Sequence, residues 1–339
     1  MGRADTAQAA AVVEGDAAIL FDFDGTLGDT ETPAMEVAFW ELAPYFPEAS
    51  VEWLDDDRMR TYVRNNAGKA FEFMVDVVEE DRKKAGLAGI EEVRAAGGED
   101  EGVVAHVDER RKRFGLPPLA DTRALKKDIL TLQKDETVDA LSTMAQPCTA
   151  VPEVLATLRS MDIPFAIATT SGKPRVPVSV VSCGFTEYFP PERIHSGESD
   201  FDPPRFKPDP SVYLLAAEKT GALPEKCIAV EDSTSGVGSA ANAKIGMIVG
   251  YVGGSHISDE NEESHAATLM AGGRSEDGRG ADIVIRDMKD LVALTTYFRE
   301  SVLTGDKPPG VEGSEPIRFP KALLDGLLDK YYLPRDPLS

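Results

Sequence analysis

The segment that most constrains the fold is AAILFDFDGTLGDTE, from Ala17 to Glu31. Its first part is an unbroken apolar run, which is typical of a strand buried on both faces of a sheet. Asp22 and Asp24 follow, and because alternate residues of an extended chain share one side, we expect both carboxylates to meet where the strand ends. Such close like charges repel unless a cation or a proton intervenes, and hard dications bind carboxylate oxygens. The segment therefore predicts a magnesium site at a strand end, the alternative being an Asp-Gly turn with two solvated acids.

Further apolar segments of strand length follow, and predicted helices separate them. Strands that alternate with helices are typical of an α/β fold, in which helices cover both faces of a parallel sheet. Polar residues stand at the carboxyl ends of several of these strands, the edge at which open α/β sheets bind ligands. The predicted strands lie near Ala18–Asp22, Phe165–Thr169, Arg193–Ser196, Cys227–Glu231, Met247–Tyr251 and Ile283–Ile285.

Three later segments carry polar residues that complete a pattern begun by DFDGT. PFAIATTSGK contains Thr169, RFKPDP contains Lys207, and CIAVEDSTSG contains Glu231 and Asp232. Taken singly, these residues fit a strand end, a loop charge and two helix-capping acids. Taken together and in this order, the four segments resemble the sequence motifs of the haloacid dehalogenase (HAD) superfamily. The resemblance implies a Rossmann-like three-layer core with a parallel sheet, and an inserted α-helical cap domain as in subfamily I.

The resemblance also implies a reaction. Asp22 matches the family's nucleophile, which forms an aspartyl phosphate, and Asp24 matches the general acid and base. Thr169 and Lys207 match residues that hold the phosphate, and Mg²⁺ is the implied cofactor, since a metal keeps the attacking carboxylate ionised. The predicted metal ligands are Asp22, Asp24, Asp232 and Glu231. The predicted phosphate-binding residues are Phe23, Gly25, Thr26, Thr170, Ser171 and Lys207, in part through backbone amides.

A long segment without any strand pattern separates the first two predicted strands. Its apolar spacing predicts helices over Pro33–Phe46, Ala70–Val78 and Arg123–Met144, whereas Gly86–Asp108 is expected to be a mobile, solvated connection. The resemblance implies that such a cap closes over the sheet, excludes water and selects the substrate. The predicted division is a disordered leader at 1–15, a core domain at 16–31 and 145–303, a cap at 32–144, and a C-terminal extension at 304–339 that forms a strap or a partner-binding helix.

Substrate specificity is predicted from a short stretch of the cap, YVRNNAGKAFEF. Its Gly68–Lys69 pair resembles the substrate loop of the branch that contains β-phosphoglucomutase and the xylulose-1,5-bisphosphate phosphatases, and Arg64, Asn66 and Lys69 are the predicted cap residues for substrate. The alternative is a solvated cationic face that balances nearby acids. The predicted function is a Mg²⁺-dependent phosphatase of a small phosphorylated metabolite, a sugar phosphate or sugar bisphosphate.

Other functions stay open or are disfavoured by the motifs. A phosphomutase would use the same residues, and a phosphoglycolate phosphatase is a further alternative. A substrate-binding pseudoenzyme is disfavoured because every motif residue is present. A dinucleotide oxidoreductase lacks support, since no GxGxxG follows the first strand.

Composition limits the partners and the compartment. A formal net charge of −23 over 339 residues argues against nucleic acid and anionic membranes as partners. No apolar run has the length of a membrane span. Cys148, Cys183 and Cys227 lack CxxC spacing, which favours a reducing compartment over disulfides or a zinc site. We expect a cytoplasmic monomer, or a protein of an organelle stroma if a targeting peptide was removed, and we expect His256 to be structural although its loop approaches the site.

Overall fold

The protein is described by a computed structural model over residues 17–66, 71–304 and 317–338. Its strands in that part of the chain are β1 (Ala18–Phe21), β2 (Gly28–Asp29), β3 (Gln146–Pro147), β4 (Phe165–Thr169), β5 (Ile194–Ser196), β6 (Cys227–Glu231), β7 (Met247–Tyr251), β8 (Ile283–Ile285) and β9 (Tyr331–Tyr332). Seven of them form one sheet in the order β5-β4-β1-β6-β7-β8-β9. All neighbours in this sheet are parallel except β8 and β9. The α/β fold with a parallel sheet is confirmed, and so are the six predicted strands.

Helices make up most of the rest of the described chain. They are α1 (Glu31–Leu42), α2 (Asp56–Asn66), α3 (Phe71–Lys84), α4 (Ile90–Ala96), α5 (Glu101–Arg111), α6 (Leu119–Ala124), α7 (Ile129–Met144), α8 (Val151–Ser160), α9 (Arg175–Ser182), α10 (Ser211–Thr220), α11 (Thr234–Asn242), α12 (Glu262–Met270), α13 (Asp290–Tyr297) and α14 (Lys321–Leu324). Short 3-10 turns and one π-helical turn, Phe298–Val302, connect some of them.

Two apolar layers cover the sheet, because successive side chains of each strand point to opposite faces. Ile19 and Phe21 of β1 pack on one face with α8, α9 and α13. Ala18 and Leu20 pack on the other face with α10, α11 and α12. β1 lies centrally, between β4 and β6. The strand end that carries Asp22 is therefore held at the middle of the sheet edge.

The helices α1 to α7 lie between β2 and β3 in the chain, where the cap was predicted. α1 buries most of its residues because it packs on both sides: Phe39 and Trp40 join one apolar cluster, and Met35 and Leu42 join another. The pairing of β2 with β3 brings the two ends of this helical segment together. The domain boundaries themselves stay predictions.

The prediction for Gly86–Asp108 was wrong, since this stretch contains α4 and most of α5 rather than a mobile connection. Gly97 ends α4 in the left-handed conformation, and the Asp100 side chain accepts a hydrogen bond from the Val103 amide at the start of α5. Val103 and Val107 are buried. The glycines and acids of AAGGEDEG are thus helix-terminating and helix-starting residues, which have the same composition as a solvated loop.

The predicted helix over Arg123–Met144 is divided in two. α6 ends at Ala124, Lys126 has a positive φ of 53°, and α7 starts after Asp128, whose side chain accepts from the Thr131 amide. Asp128 explains the break, because it acts as an N-cap in the middle of an otherwise helical pattern. The first turn of a helix has backbone amides without partners in the helix, and the Asp128 side chain binds one of them.

The C-terminal residues form a strap on the core, one of the two alternatives raised by the sequence. Ile317, Phe319 and Leu324 are buried against the α13 side of the sheet. β9 then pairs antiparallel with β8 and covers the end of the sheet. Within the described residues, no helix is long and apolar enough to cross a membrane. The three cysteines are buried and unpaired.

Candidate active site

A cavity of about 760 Å³ opens at the carboxyl ends of the central strands. Residues that follow β1, β4 and β6 line it, which is the expected ligand edge of an open α/β sheet. The lining residues from the four sequence motifs are Asp22, Asp24, Gly25, Thr169, Thr170, Ser171, Lys207, Asp232, Ser233, Thr234 and Ser235. Arg64 of α2 contributes from the helical segment. We call this space the candidate cavity.

An acidic cluster lies at the candidate cavity, and two of its three residues line it. Ligand atoms of Asp22, Glu231 and Asp232 lie within 4.8 Å of one another, and all three residues are buried. Lys207 joins two of them: its Nζ donates to Asp22 Oδ1 at 2.6 Å and to Glu231 Oε1 at 2.5 Å. The Tyr213 hydroxyl also donates to Glu231 Oε1, at 2.6 Å. Glu231 is thus occupied by protein donors, while Asp22 and Asp232 line the cavity.

The charge of this cluster suits a divalent cation. Three carboxylates face one ammonium, so negative charge remains in a buried place. Burial, with the neighbouring carboxylates, raises the pKa of Asp22 well above its usual range despite Lys207. Burial acts to lower the pKa of Lys207, but Asp22 and Glu231 raise it further than burial lowers it. Oxygen donors with excess negative charge are the ligand set that hard dications prefer, so the residues present fit a metal ion.

Asp24 has a different environment from Asp22. Its carboxylate accepts hydrogen bonds from Ser171 Oγ at 2.6 Å, Arg175 Nη2 at 3.0 Å and the Thr30 hydroxyl. Burial acts to raise the pKa of Asp24, yet Arg175 and the two hydroxyls hold it below its usual value. The Asp24 carboxylate is not part of the acidic cluster in the described residues, so its part in holding a metal stays a prediction.

The predicted phosphate-binding residues divide into two groups. Thr170, Ser171, Gly25 and Lys207 line the candidate cavity, whereas Phe23 and Thr26 do not appear among its lining residues. Both are fully buried, and the Thr26 amide donates to the Phe23 carbonyl at 3.3 Å within the turn. The Thr26 amide is thus already hydrogen-bonded within the turn. A phosphate-binding role for these two residues stays a prediction.

The predicted cap residues are placed in part. Arg64 lines the candidate cavity and also a smaller adjoining pocket of about 210 Å³ between α1, α2 and the loop after β7. Asn66 donates from its side-chain amide to the Tyr62 carbonyl at 2.9 Å. Lys69 lies outside the described residues. Arg64 is therefore the predicted cap cation that the structure brings to the cavity.

Among the lining residues, Arg175 and His265 were not predicted from the sequence, and His256 was predicted to be structural. Arg175 starts α9 and reaches Asp24, and no spacing rule connects an arginine six residues after Thr169 with a carboxylate on another strand. His265 lines the cavity from α12, the helix between β7 and β8. His256 was noted for its loop, but it lies beside Asp232, at 3.2 Å from Nε2 to Oδ2. Burial acts to lower the pKa of His256, but the hydrogen bond to Asp232 and the charge of that carboxylate outweigh burial, so the pKa is raised.

The comparison with protein families agrees with this site. A family model described as haloacid dehalogenase-like hydrolase matches residues 17–244, which include all four motifs. The chain therefore belongs to the haloacid dehalogenase-like hydrolase family, and the predicted resemblance is confirmed.

Two named relatives are phosphatases. The chain is 29% identical over 148 residues to the phosphorylated carbohydrates phosphatase of Thermotoga maritima, and the match spans 42% of this chain and 64% of that protein. It is 26% identical over 241 residues to the phosphoglycolate phosphatase of Escherichia coli K12, spanning 69% and 81% respectively. The chain thus matches less than two thirds of the length of the Thermotoga protein.

A solved structure supports the fold. A haloacid dehalogenase-like protein of unknown function from Agrobacterium tumefaciens C58 superposes with a TM-score of 0.54 at 24% identity, covering 84% of this chain and all of that one. At this identity the likeness shows the fold alone.

Proposed function

We propose that this chain is a Mg²⁺-dependent phosphatase that hydrolyses a small phosphorylated metabolite through an aspartyl-phosphate intermediate. One observation carries the proposal: Asp22, Asp24, Thr169, Lys207 and Asp232, from separate parts of the chain, line one cavity at the carboxyl edge of the sheet. Membership of the hydrolase family and the two phosphatase relatives support it.

The first half of the reaction forms the phospho-enzyme. An Asp22 carboxylate oxygen attacks phosphorus, the bond between phosphorus and the leaving oxygen breaks, and Asp24 gives that oxygen a proton. Lys207, whose ammonium lies 2.6 Å from Asp22 Oδ1, also balances charge on the phosphoryl oxygens. Thr169 ends β4 and lines the cavity, and its hydroxyl is the proposed donor to the same group.

The second half regenerates the enzyme. Asp24, now ionised, takes a proton from a water molecule that attacks the aspartyl phosphate, and Asp22 and inorganic phosphate are released. The lowered pKa of Asp24 keeps it ionised, as the basic step requires, and substrate must displace hydrogen bonds from Arg175, Ser171 or Thr30 before Asp24 can hold the proton of the acid step. A metal held by Asp22 and Asp232 would screen the repulsion between a phosphate dianion and the attacking carboxylate.

The substrate class that we propose is a sugar phosphate or sugar bisphosphate. The candidate cavity has room for more than a phosphate group, and Arg64 places a cation at its helical side, where a second anionic or hydroxyl-bearing part of the substrate can bind. The carbohydrate phosphatase among the relatives supports this class. The phosphoglycolate relative makes a small phosphorylated acid the main competitor. We further propose that the protein acts as a monomer in the cytoplasm.

The test is a substrate screen with purified full-length protein and Mg²⁺. The panel contains sugar monophosphates, sugar bisphosphates, phosphoglycolate and nucleotides, and released inorganic phosphate is measured with and without excess EDTA. We expect Mg²⁺-dependent release from sugar phosphates and loss of activity in EDTA. Isomerised sugar phosphate without phosphate release would instead indicate a phosphomutase, and full activity in EDTA would contradict the metal assignment.

A further inference from the structure

The segment between β7 and β8 contacts Asp232 at two points. His256 Nε2 lies 3.2 Å from Asp232 Oδ2, and His265 Nε2 lies 2.6 Å from the Asp232 backbone oxygen. Both histidines line the candidate cavity. The whole of this segment, including both histidines, lies beyond the stretch that the family model matches, which ends at residue 244. The contacts therefore belong to a part of the chain that the four motifs do not describe.

The ring of His256 is held in a slot between two glycines. A Cβ on Gly25 would lie 2.6 Å from His256 Cε1 and 2.2 Å from Asp232 Oδ2. A Cβ on Gly254 would lie 2.8 Å from the same ring carbon and 2.7 Å from the Gly25 carbonyl oxygen. Side chains at either position would displace the ring. The slot therefore fixes where His256 can lie, and with it one oxygen of Asp232.

We infer that His256 is a positioning residue that orients Asp232 for the divalent cation. The inference rests on the proposed function, because it assumes that Asp232 is a metal ligand. A carboxylate that is hydrogen-bonded through one oxygen loses rotational freedom, and the partners that orient metal ligands commonly contribute about ten- to hundredfold in metal affinity. The bond from His265 to the Asp232 carbonyl holds the backbone of the same residue. His256 thus acts on the metal through Asp232 and not through the substrate.

The experiment measures Mg²⁺ binding without substrate by isothermal titration calorimetry on the full-length protein. His256→Leu removes the donor, and His256→Gln retains an N–H at the position of Nε2. We expect the leucine variant to bind Mg²⁺ about tenfold or more weakly and the glutamine variant to recover most of the affinity. Thermal unfolding in EDTA checks that both variants fold.

The matched control is His106→Leu. His106 is likewise a part-buried histidine that is hydrogen-bonded through Nε2, here to the Leu54 backbone oxygen at 2.8 Å, but it lies on α5 and not beside the acidic cluster. Its loss should leave Mg²⁺ affinity unchanged. If His256→Leu binds Mg²⁺ as tightly as a hydrolytically active wild type, the positioning role is wrong and the proposed function stands. If the wild type itself neither binds Mg²⁺ nor hydrolyses any substrate, both are wrong.

Discussion

At the scale of single residues, the two aspartates of DFDGT are distinguished by their surroundings. Asp22 lies among carboxylates and shares one ammonium with Glu231, whereas Asp24 accepts three hydrogen bonds, one of them from Arg175. Burial and the neighbouring carboxylates raise the pKa of Asp22, whereas Arg175 and two hydroxyls lower the pKa of Asp24. The proposed nucleophile therefore needs a nearby cation to be ionised, and the proposed acid must lose some of its donors before it holds a proton. The sequence alone places them together but cannot tell which neighbours each will have.

The first prediction concerns the nucleophile. Asp22→Asn should abolish both turnover and phospho-enzyme formation, because an amide oxygen does not form the acyl phosphate, while the near-isosteric side chain preserves the fold. Acid-quenched labelling with a phosphorylated substrate and steady-state assays measure the two effects. A variant that retains more than about a tenth of wild-type turnover, equivalent to a loss below about 1.4 kcal/mol, would show that Asp22 is not the nucleophile.

The second prediction concerns Arg64. If it binds a part of the substrate away from the reacting phosphate, Arg64→Ala should lower kcat/KM for a sugar bisphosphate about ten- to hundredfold, the loss of about 1.5–3 kcal/mol expected for a charged hydrogen bond. Hydrolysis of p-nitrophenyl phosphate, which has no such part, should change little. The control is Arg60→Ala on the same helix, since Arg60 is exposed and paired with Asp57. Equal effects of Arg64→Ala on both substrates would indicate that Arg64 is a solvated surface charge and does not bind the substrate.

How far the site could be predicted depends on where each residue stands in the chain. Asp22, Thr169 and Asp232 follow apolar strands, so their meeting at one sheet edge follows from the topology of parallel sheets. Arg175 and His256 reach the cavity from the first turn of a helix and from a loop, and their directions depend on tertiary packing. Neither has a periodicity that a sequence could reveal.

At the scale of elements, one buried ion group joins three helices of the segment between β2 and β3. Arg111 of α5 donates to Glu41 of α1 at 2.7 Å and to Glu136 of α7 at 2.5 Å, and all three side chains are buried. Burial, with the nearby Glu41 carboxylate, raises the pKa of Glu136 to about 9. One guanidinium thus faces two acids in an apolar surrounding, so the arrangement favours a protonated Glu136 near neutral pH.

The third prediction follows from the sign of that shift. The raised pKa of Glu136 contributes stability below its unfolded value of 4.5, and that contribution is lost as the pH rises toward about 9. Glu136→Gln should therefore flatten the decline of the thermal midpoint between about pH 5 and about pH 9. Asp139→Asn, on the exposed side of the same helix, is the control and should retain the wild-type slope. Equal slopes for wild type and Glu136→Gln would contradict the prediction.

At the scale of the whole molecule, the layers and the β5 end of the sheet were predictable, whereas the β9 end was not. Apolar runs identify five of the parallel strands because both faces of each are buried, whereas β5, at the edge of the sheet, contains His195 and Ser196. β9 has only two residues, Tyr331 and Tyr332, and it is half-exposed, so no hydrophobic pattern marks it. Its position is supported by Phe319 and Leu324, which precede it in the chain and pack on the core, and by the Tyr332 hydroxyl, which donates to Glu262 at 2.7 Å.

The fourth prediction tests whether the C-terminal residues stabilise the core. Phe319 is 2% exposed among core side chains, so Phe319→Ala should lower the free energy of unfolding by about 3–5 kcal/mol, the usual cost of emptying a buried aromatic site. Leu328→Ala is the matched control, because Leu328 is 67% exposed and its loss should change stability by less than about 0.5 kcal/mol. Urea denaturation followed by circular dichroism measures both. If the C-terminal segment packs as part of the core, Phe319→Ala must lower the free energy of unfolding much more than Leu328→Ala. Similar small losses would mean that the segment contributes little to the core and is free to bind a partner instead.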